Sequence, residues 1–434
     1  MSFAIPPIAP SSTPSPTESQ DALDKIIHKN HVEHALLWDM GNFINIAPEN
    51  KALGIHIIHS PHLLASLQLL GAPPARLAEV YASESKILPP PPSPKATITT
   101  ANWRDHLGDR AFTQAYLAFF THELTTTHHG NWRELLAIYL LADPAPLIYS
   151  VTGDLCHPLI HLGYAYELGN ADLATDALVY CAVHYDPATE AYLRARSDSN
   201  NPANSPLEVL ARVRADSSLA GFPPKGPGRE HFAPLFEKHE SIVLEHWATW
   251  PPPGEHEISA EQLSEALDAC VGLLVGTTRE GESYDFILLH ALTGCYALRV
   301  VLPEVPVKYH TALFHHWWLF TLMVYITQGR PEIDDSLFTG YPLERKDWST
   351  PVKLAIESPA GFDAHYVKAI RAIKSASDYS GQVRRSSRHS EEWYLKAATR
   401  FAETFRSYRG FGPVDEDMIQ QLMALTGQGS SERH

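Results

Sequence analysis

Asp285-Phe-Ile-Leu-Leu-His290-Ala-Leu-Thr293 is apolar on both sides of a single histidine, and leucines recur through it and beyond at Leu288, Leu292 and Leu298. Steps of three and four residues follow one face of an α-helix, because a helical turn takes 3.6 residues. The same steps occur at Leu63, Leu64, Leu67 and Leu70, at Leu117, Phe120 and Leu124, and at Phe314, Trp318 and Met323. No period-two runs joined by hairpin turns are found, and no strand–helix–strand rhythm. The pattern predicts an all-α protein: a single large multi-helix domain, mostly helical, with long Pro-rich loops.

Helices are expected to break at Gly71-Ala-Pro73-Pro74, Asp143-Pro144, Asp186-Pro187 and Gly329-Arg-Pro331, since proline has no amide proton and crowds the preceding turn. Leu88 to Pro94 holds five prolines in seven residues and should be extended. Ser197 to Pro206 and Gly221 to Gly228 read as further connectors. Residues 1–20, rich in Pro, Ser and Thr, are expected to form a disordered arm. A helical domain over 21–415 and a C-terminal tail over 416–434 complete the division.

Composition narrows the function. The 434 residues carry a formal net charge of −16, whereas a phosphate-backbone binder shows a basic stripe. The compact basic run, Arg384-Arg385-Ser-Ser-Arg388-His389, reads as a solvated loop, so no nucleic-acid partner is expected. Cys156, Cys181, Cys270 and Cys295 are scattered, form no CxxC, and sit in apolar surroundings. They read as buried free thiols in a reducing compartment. The N-terminus lacks a basic and apolar leader. The stretch Trp317 to Ile326 is shorter than the roughly 20 residues a membrane span needs. A cytoplasmic protein without a membrane partner is therefore expected. No Gly-x-Gly-x-x-Gly or phosphate-loop pattern is present, which argues against a Rossmann-type flavin or NADPH domain.

Chemistry concentrates in the histidines, 24 in number. His59-Ser-Pro-His62 precedes a helical leucine run, where imidazoles commonly meet water or backbone. His157-Pro-Leu-Ile-His161-Leu-Gly-Tyr164 puts two histidines one turn apart, with Pro158 suited to a first helical turn. Gly163 allows close approach of another backbone, and the Tyr164 hydroxyl lies near the same face. His290 alone would be a core histidine. In Asp363-Ala-His365-Tyr-Val-Lys368, Asp363 suits a helix N-cap, and His365 and Lys368 share a face. A lysine facing a core is costly unless paired or neutral, and a neutral amine can take up carbon dioxide to become a carbamate. The plain alternative is that Lys368 snorkels to the surface. One metal ion would satisfy several buried imidazoles together, and histidine is the commonest metal ligand. His28, His31 and His34, His128-His129 and His315-His316 carry less weight, and His184-Tyr-Asp186 is a candidate pocket wall.

In sequence order, several of these blocks resemble the questin oxidase-like family of fungal polyketide pathways. They are His59-Ser-Pro-His62-Leu-Leu with Leu70-Gly-Ala72, Asn102-Trp103 with Leu107-Gly108 and Tyr116-Leu-Ala-Phe-Phe120, and His157 to Glu167. Ala182-Val-His-Tyr-Asp186, Asp285-Phe with His290-Ala-Leu-Thr293, Gly329-Arg-Pro331 and Asp363 through Arg371-Ala372 continue the match. The resemblance spans about residues 25 to 410. It implies oxidative opening of the central quinone ring of an anthraquinone, giving a benzophenone-type seco product. It further implies a non-haem Fe(2+) centre of four histidines and a carboxylated lysine that activates dioxygen. Carried over by motif, the metal ligands would be His62, His290 and His365 with one or both of His157 and His161, and Lys368 as the carbamate. His59 would stand behind them. His290, Lys368 and Tyr164 would be the catalytic groups, with Asp285 or Glu167 orienting ligand imidazoles. Pro61 would rotate His59 away from the centre.

Two rivals differ in what they predict. An NADPH-dependent Baeyer–Villiger monooxygenase acting on the same substrate class would bind nucleotide and need no metal. A metal-free helical binding protein would lose stability, and no reaction, on replacement of His290.

Overall fold

Every side chain from Ile287 to Val301 is buried. A helix that is apolar all round must be enclosed all round. The helix Phe286–Val301 accordingly packs against Gly153–Leu168, Ala260–Val275, His310–Thr327 and Ala364–Val383 in the computed structural model of the chain. That structure describes residues 16–39, 55–57, 59–86, 88–142, 146–195, 199–250, 258–383 and 389–410. Among them are seventeen α-helices and two short two-stranded ladders, and the fold is 70% helical. One continuous apolar cluster runs from Leu23 to Ala402, so the helices form a single domain.

Local chemistry sets the central helix. Asp285 accepts hydrogen bonds from the amides of Ile287 and Leu288, both at 2.9 Å, which satisfies two of the donors a helix start leaves over. Each Leu or Ile buried along it contributes about 1.5–3 kcal/mol. The helix at Gly153–Leu168 approaches it closely: a Cβ on Gly163 would lie 3.0 Å from the Ala297 side chain. Phe286–Glu304, with a mean hydropathy of 1.6, is long and apolar enough to cross a membrane by length and composition. That is a longer apolar stretch than Trp317 to Ile326, and 89% of it is buried inside the fold as core.

Punctuation residues act where expected. Gly71 turns the chain at φ +93° after the helix Ser60–Leu69, Pro187 opens Pro187–Ala195, and Gly329 and Arg330, both at positive φ, end His310–Thr327. Residues 88–94 have no regular structure. The first helix, Pro16–Glu33, begins within the stretch expected to be an arm. Residues 1–15, Asp143-Pro144, the basic positions 384–388 and the tail over 416–434 lie outside the described residues. All four cysteines are free and buried.

Candidate metal centre

Three of the helices enclosing the core and the start of a fourth each deliver one histidine to a common point. His59 caps the helix Ser60–Leu69, whose Pro61 falls in its first turn, so the proline starts the helix and leaves His59 at its mouth. His157 sits in Gly153–Leu168, His290 in Phe286–Val301 and His365 in Ala364–Val383. One ring nitrogen from each of His59, His157, His290 and His365 lies within 4.8 Å of the other three. Ring centroids close a circuit: 4.7 Å from His59 to His157, 5.0 Å to His290, 5.0 Å to His365, and 4.5 Å back to His59.

The outer nitrogens fix how these rings are turned. His290 Nδ1 donates to the Phe286 carbonyl at 2.8 Å, and His157 Nδ1 donates to the Asp154 carbonyl. A carbonyl only accepts, so both Nδ1 atoms carry the proton and both Nε2 atoms present a lone pair. His290 Nε2 and His365 Nε2 are buried without a hydrogen-bond partner, and His59 Nε2 faces His157 Nε2 at 2.6 Å. An unpaired buried polar atom costs about 1–3 kcal/mol. Several lone pairs converging on one point fit a divalent cation, and imidazole suits iron, copper, nickel or zinc. Burial, with help from Lys368, lowers His290 to about 3 and holds His157 and His365 well below the usual imidazole range. His157, His290 and His365 are thus neutral, as metal ligation requires.

The turn that places His157 is unusual. Asp154, Leu155 and Cys156 have φ of 42°, 57° and 64°, a left-handed stretch that only glycine adopts without strain. It aims the Asp154 carbonyl at His157 before the regular helix begins. Lys368, one turn after His365, is buried with Nζ lacking a partner. Burial brings its pKa from 10.5 down to about 7, and Asp363 partly opposes the fall. Asp363 itself accepts from the amides of His365 (2.8 Å) and Tyr366 (2.9 Å), the N-cap expected of it.

The other expected residues form a layer behind this ring. His62 Nε2 contacts His161 Nδ1 at 2.8 Å, and neither residue belongs to the group of four. The converging group contains His59, expected from the sequence to stand behind the ligands, and does not contain His62 or His161. Tyr164 pairs its hydroxyl with Ser66 at 2.5 Å, with its ring 5.5 Å from His62. Glu167 accepts from Arg371 and Tyr296, while Asp285 caps its helix, so the carboxylates of both are engaged away from the four imidazoles.

Asp176, which the spacing of the histidine motifs does not reveal, lies behind His161 at 3.6 Å and holds His31 Nδ1 at 2.7 Å. The available signal was an acid in the middle of the helix Ala171–Val183, whose residues from Leu173 to Val183 are all buried. Burial disfavours the His31 cation, but Asp176 outweighs it and raises His31 to about 9, while Asp176 is lowered below its usual 3.8. Because His31 is raised above its unfolded value near 6.5, its contribution is full below that pH and is lost as pH rises through about 9. His31→Gln is expected to cost about 1.5–3 kcal/mol at neutral pH, and little above pH ~10. Urea unfolding of the two proteins at both pH values checks this; equal losses at both would refute the ion pair.

Residues 58–373 match the model of the family described as Questin oxidase-like. The chain belongs to that family. Among similar proteins, the Baeyer-Villiger oxidase ptaJ of Pestalotiopsis fici is 23% identical over 390 residues, covering 84% of this chain and 82% of its own length. The questin oxidase of Aspergillus fumigatus is 22% identical over 441 residues, covering 95% and 94%. That of Aspergillus terreus is 22% identical over 385 residues, covering 84% and 82%. The four converging histidines all fall within the matched span of this questin oxidase-like chain.

Proposed function

We propose that this questin oxidase-like protein is an oxygenase that oxidatively opens a ring of an anthraquinone-type polyketide at a non-haem Fe(2+) centre. His59, His157, His290 and His365 would hold the metal, with Lys368 beside them. The observation that carries the reading is the convergence of four imidazoles on one point, with the buried Nε2 atoms of His290 and His365 lacking a hydrogen-bond partner. Relatives named questin oxidase and Baeyer-Villiger oxidase supply the substrate class and the oxidative chemistry. When bound, ferrous iron would supply the electrons that let dioxygen react with a closed-shell aromatic substrate.

The protein's own groups do the rest. The Phe286 and Asp154 carbonyls hold two ligand rings in the orientation that points Nε2 inward. The apolar shell excludes water. Lys368, whose pKa burial lowers to about 7 so that a large fraction is neutral at that pH, can attack carbon dioxide through its Nζ lone pair, forming a C–N bond and releasing one proton. The resulting carbamate is an anionic oxygen donor and would offset part of the metal's charge.

The names of several relatives favour a second reading, an NADPH-dependent Baeyer–Villiger monooxygenase on the same substrate class. Anaerobic loading with ferrous iron, followed by a single turnover with anthraquinone and oxygen without NADPH, separates the two. Near-stoichiometric iron and ring-opened product support the iron centre. Iron-independent conversion that consumes NADPH overturns it.

Lys368 makes a prediction that needs no metal. Its folded pKa of about 7 lies below the 10.5 of an ordinary lysine, so the unfolded chain binds the extra proton between those values. Stability therefore rises with pH across that window, and the cost of burying the amine is greatest below about pH 7. In metal-free protein without bicarbonate, Lys368→Met should raise the urea midpoint near pH 6.5 and lose most of that gain near pH 10. A gain of the same size at both pH values would mean the amine is solvated.

A further inference from the structure

A cavity of about 680 Å³ opens beside the left-handed turn that precedes His157. Tyr149, Tyr185, Tyr192, Phe232, Phe236 and Phe320 wall it. None of the four converging histidines lines it; the link is Asp154, which lines the cavity and whose carbonyl accepts from His157 Nδ1. The volume lies in the range of small-molecule sites, which are largely apolar with a few fixed polar groups.

The polar groups in this wall are specific. His184 Nδ1 donates to the Tyr180 carbonyl at 2.9 Å, so the neutral ring carries its lone pair on Nε2. That Nε2 has no hydrogen-bond partner, although its side chain is only 3% exposed, and it lies 3.7 Å from Asp154 Oδ2. Two acceptors face each other and neither can donate. Ser150 Oγ and His316 Nδ1, also in the wall, are likewise buried without partners. Arg110 and Arg229 add positive charge and Asp186 negative charge to the lining. A hydroxyl on a flat aromatic ligand answers this arrangement: its O–H donates where two acceptors meet, and its rings stack on the aromatic walls.

We infer that this cavity is the binding site for the planar, hydroxylated ring system of the substrate, with one phenolic O–H donated to the His184 and Asp154 acceptors. The assignment rests on the substrate class of the proposed function and adds where and how that substrate docks, against the turn that carries a ligand histidine.

The test uses the metal-free full chain, so that it does not depend on turnover. Tryptophan fluorescence is followed while adding a dihydroxyanthraquinone whose hydroxyls are remote from the ring carbonyls, and then its dimethyl ether. Wild type should bind the hydroxylated ligand saturably, and about tenfold or more tighter than the ether, because methylation removes the donor. His184→Phe should bind the two ligands equally, and Asp154→Asn should narrow the difference, which loss of packing alone would not do. Absence of binding by the wild type, equal affinity for both ligands, or discrimination unchanged in both variants overturns the assignment. Iron loading is measured separately on the same preparations. Discriminating binding without iron uptake would sink the iron reading and leave the cavity assigned, whereas iron uptake without discrimination would do the reverse.

Discussion

His290→Ala is expected to reduce bound iron from near-stoichiometric to background and to lower ring-opening turnover by at least about a hundredfold, since even outer partners of metal ligands cost 10–100-fold. Its effect on stability should be small by comparison. The wild-type Nε2 is buried without a hydrogen-bond partner, so truncation removes an unsatisfied polar atom while leaving a modest void, and these effects oppose each other. Circular dichroism with elemental analysis of the same sample checks both halves. A metal-free binding protein would show the opposite pattern: lost stability and no reaction to lose.

The companion variants decide the composition of the ring. His59→Ala should behave like His290→Ala, because its ring nitrogen is one of the four that converge. His62→Ala should keep its iron, because His62 commits Nε2 to His161 and sits outside that group. Loss of iron from the His62 variant and retention in the His59 variant would reverse the assignment.

That distinction marks where sequence stops being informative. Helical class was legible because burial on every side leaves an apolar run such as Phe286–Val301, and burial on one side leaves steps of three and four. The four histidine blocks were legible because each sits where a polar ring is conspicuous. Choosing between His59 and His62 was not, since residues three apart share a helical face only when both are inside the helix. His59 is its cap, and the cap's backbone sets the ring's direction. The left-handed turn over Asp154, Leu155 and Cys156 had no usable signal, because Leu and Cys rarely adopt positive φ and one Asp does not announce a run of three. Asp176 and the cavity wall are assembled from segments distant in sequence, and no local spacing reports them. Glu167 illustrates the same limit: it reads as a candidate orienting acid in its block, yet it is held by Arg371, 204 residues away.

That pair carries the largest expected effect on stability. Glu167, 4% exposed, and Arg371, 11% exposed, join Gly153–Leu168 to Ala364–Val383, the helices that carry His157 on one side and His365 with Lys368 on the other. Tyr296 donates its hydroxyl to the second Glu167 oxygen, and the Arg371 guanidinium lies 5.1 Å from the centre of the Tyr296 ring. Arg371→Met removes the cation hydrogen-bonded to the carboxylate and leaves it buried with the Tyr296 phenol as its hydrogen-bond donor and Arg299 as the remaining cation nearby. Breaking a buried pair in this way costs about 3–5 kcal/mol. Replacing both residues with methionine should cost less than Arg371→Met alone, because no charge is then left behind and apolar substitutes for a buried pair are often nearly neutral. Urea unfolding of the single and double variants measures the coupling. If the double variant is the less stable of the two, the stabilisation lies in the attraction between the charges and not in avoiding an orphaned one. If Arg371→Met costs under about 1 kcal/mol, the value typical of exposed pairs, water reaches Glu167 and the two helices are tied by packing alone. In the expected case iron affinity should fall with the single variant and recover in part with the double, because His157, His365 and Lys368 ride on the helices this pair joins.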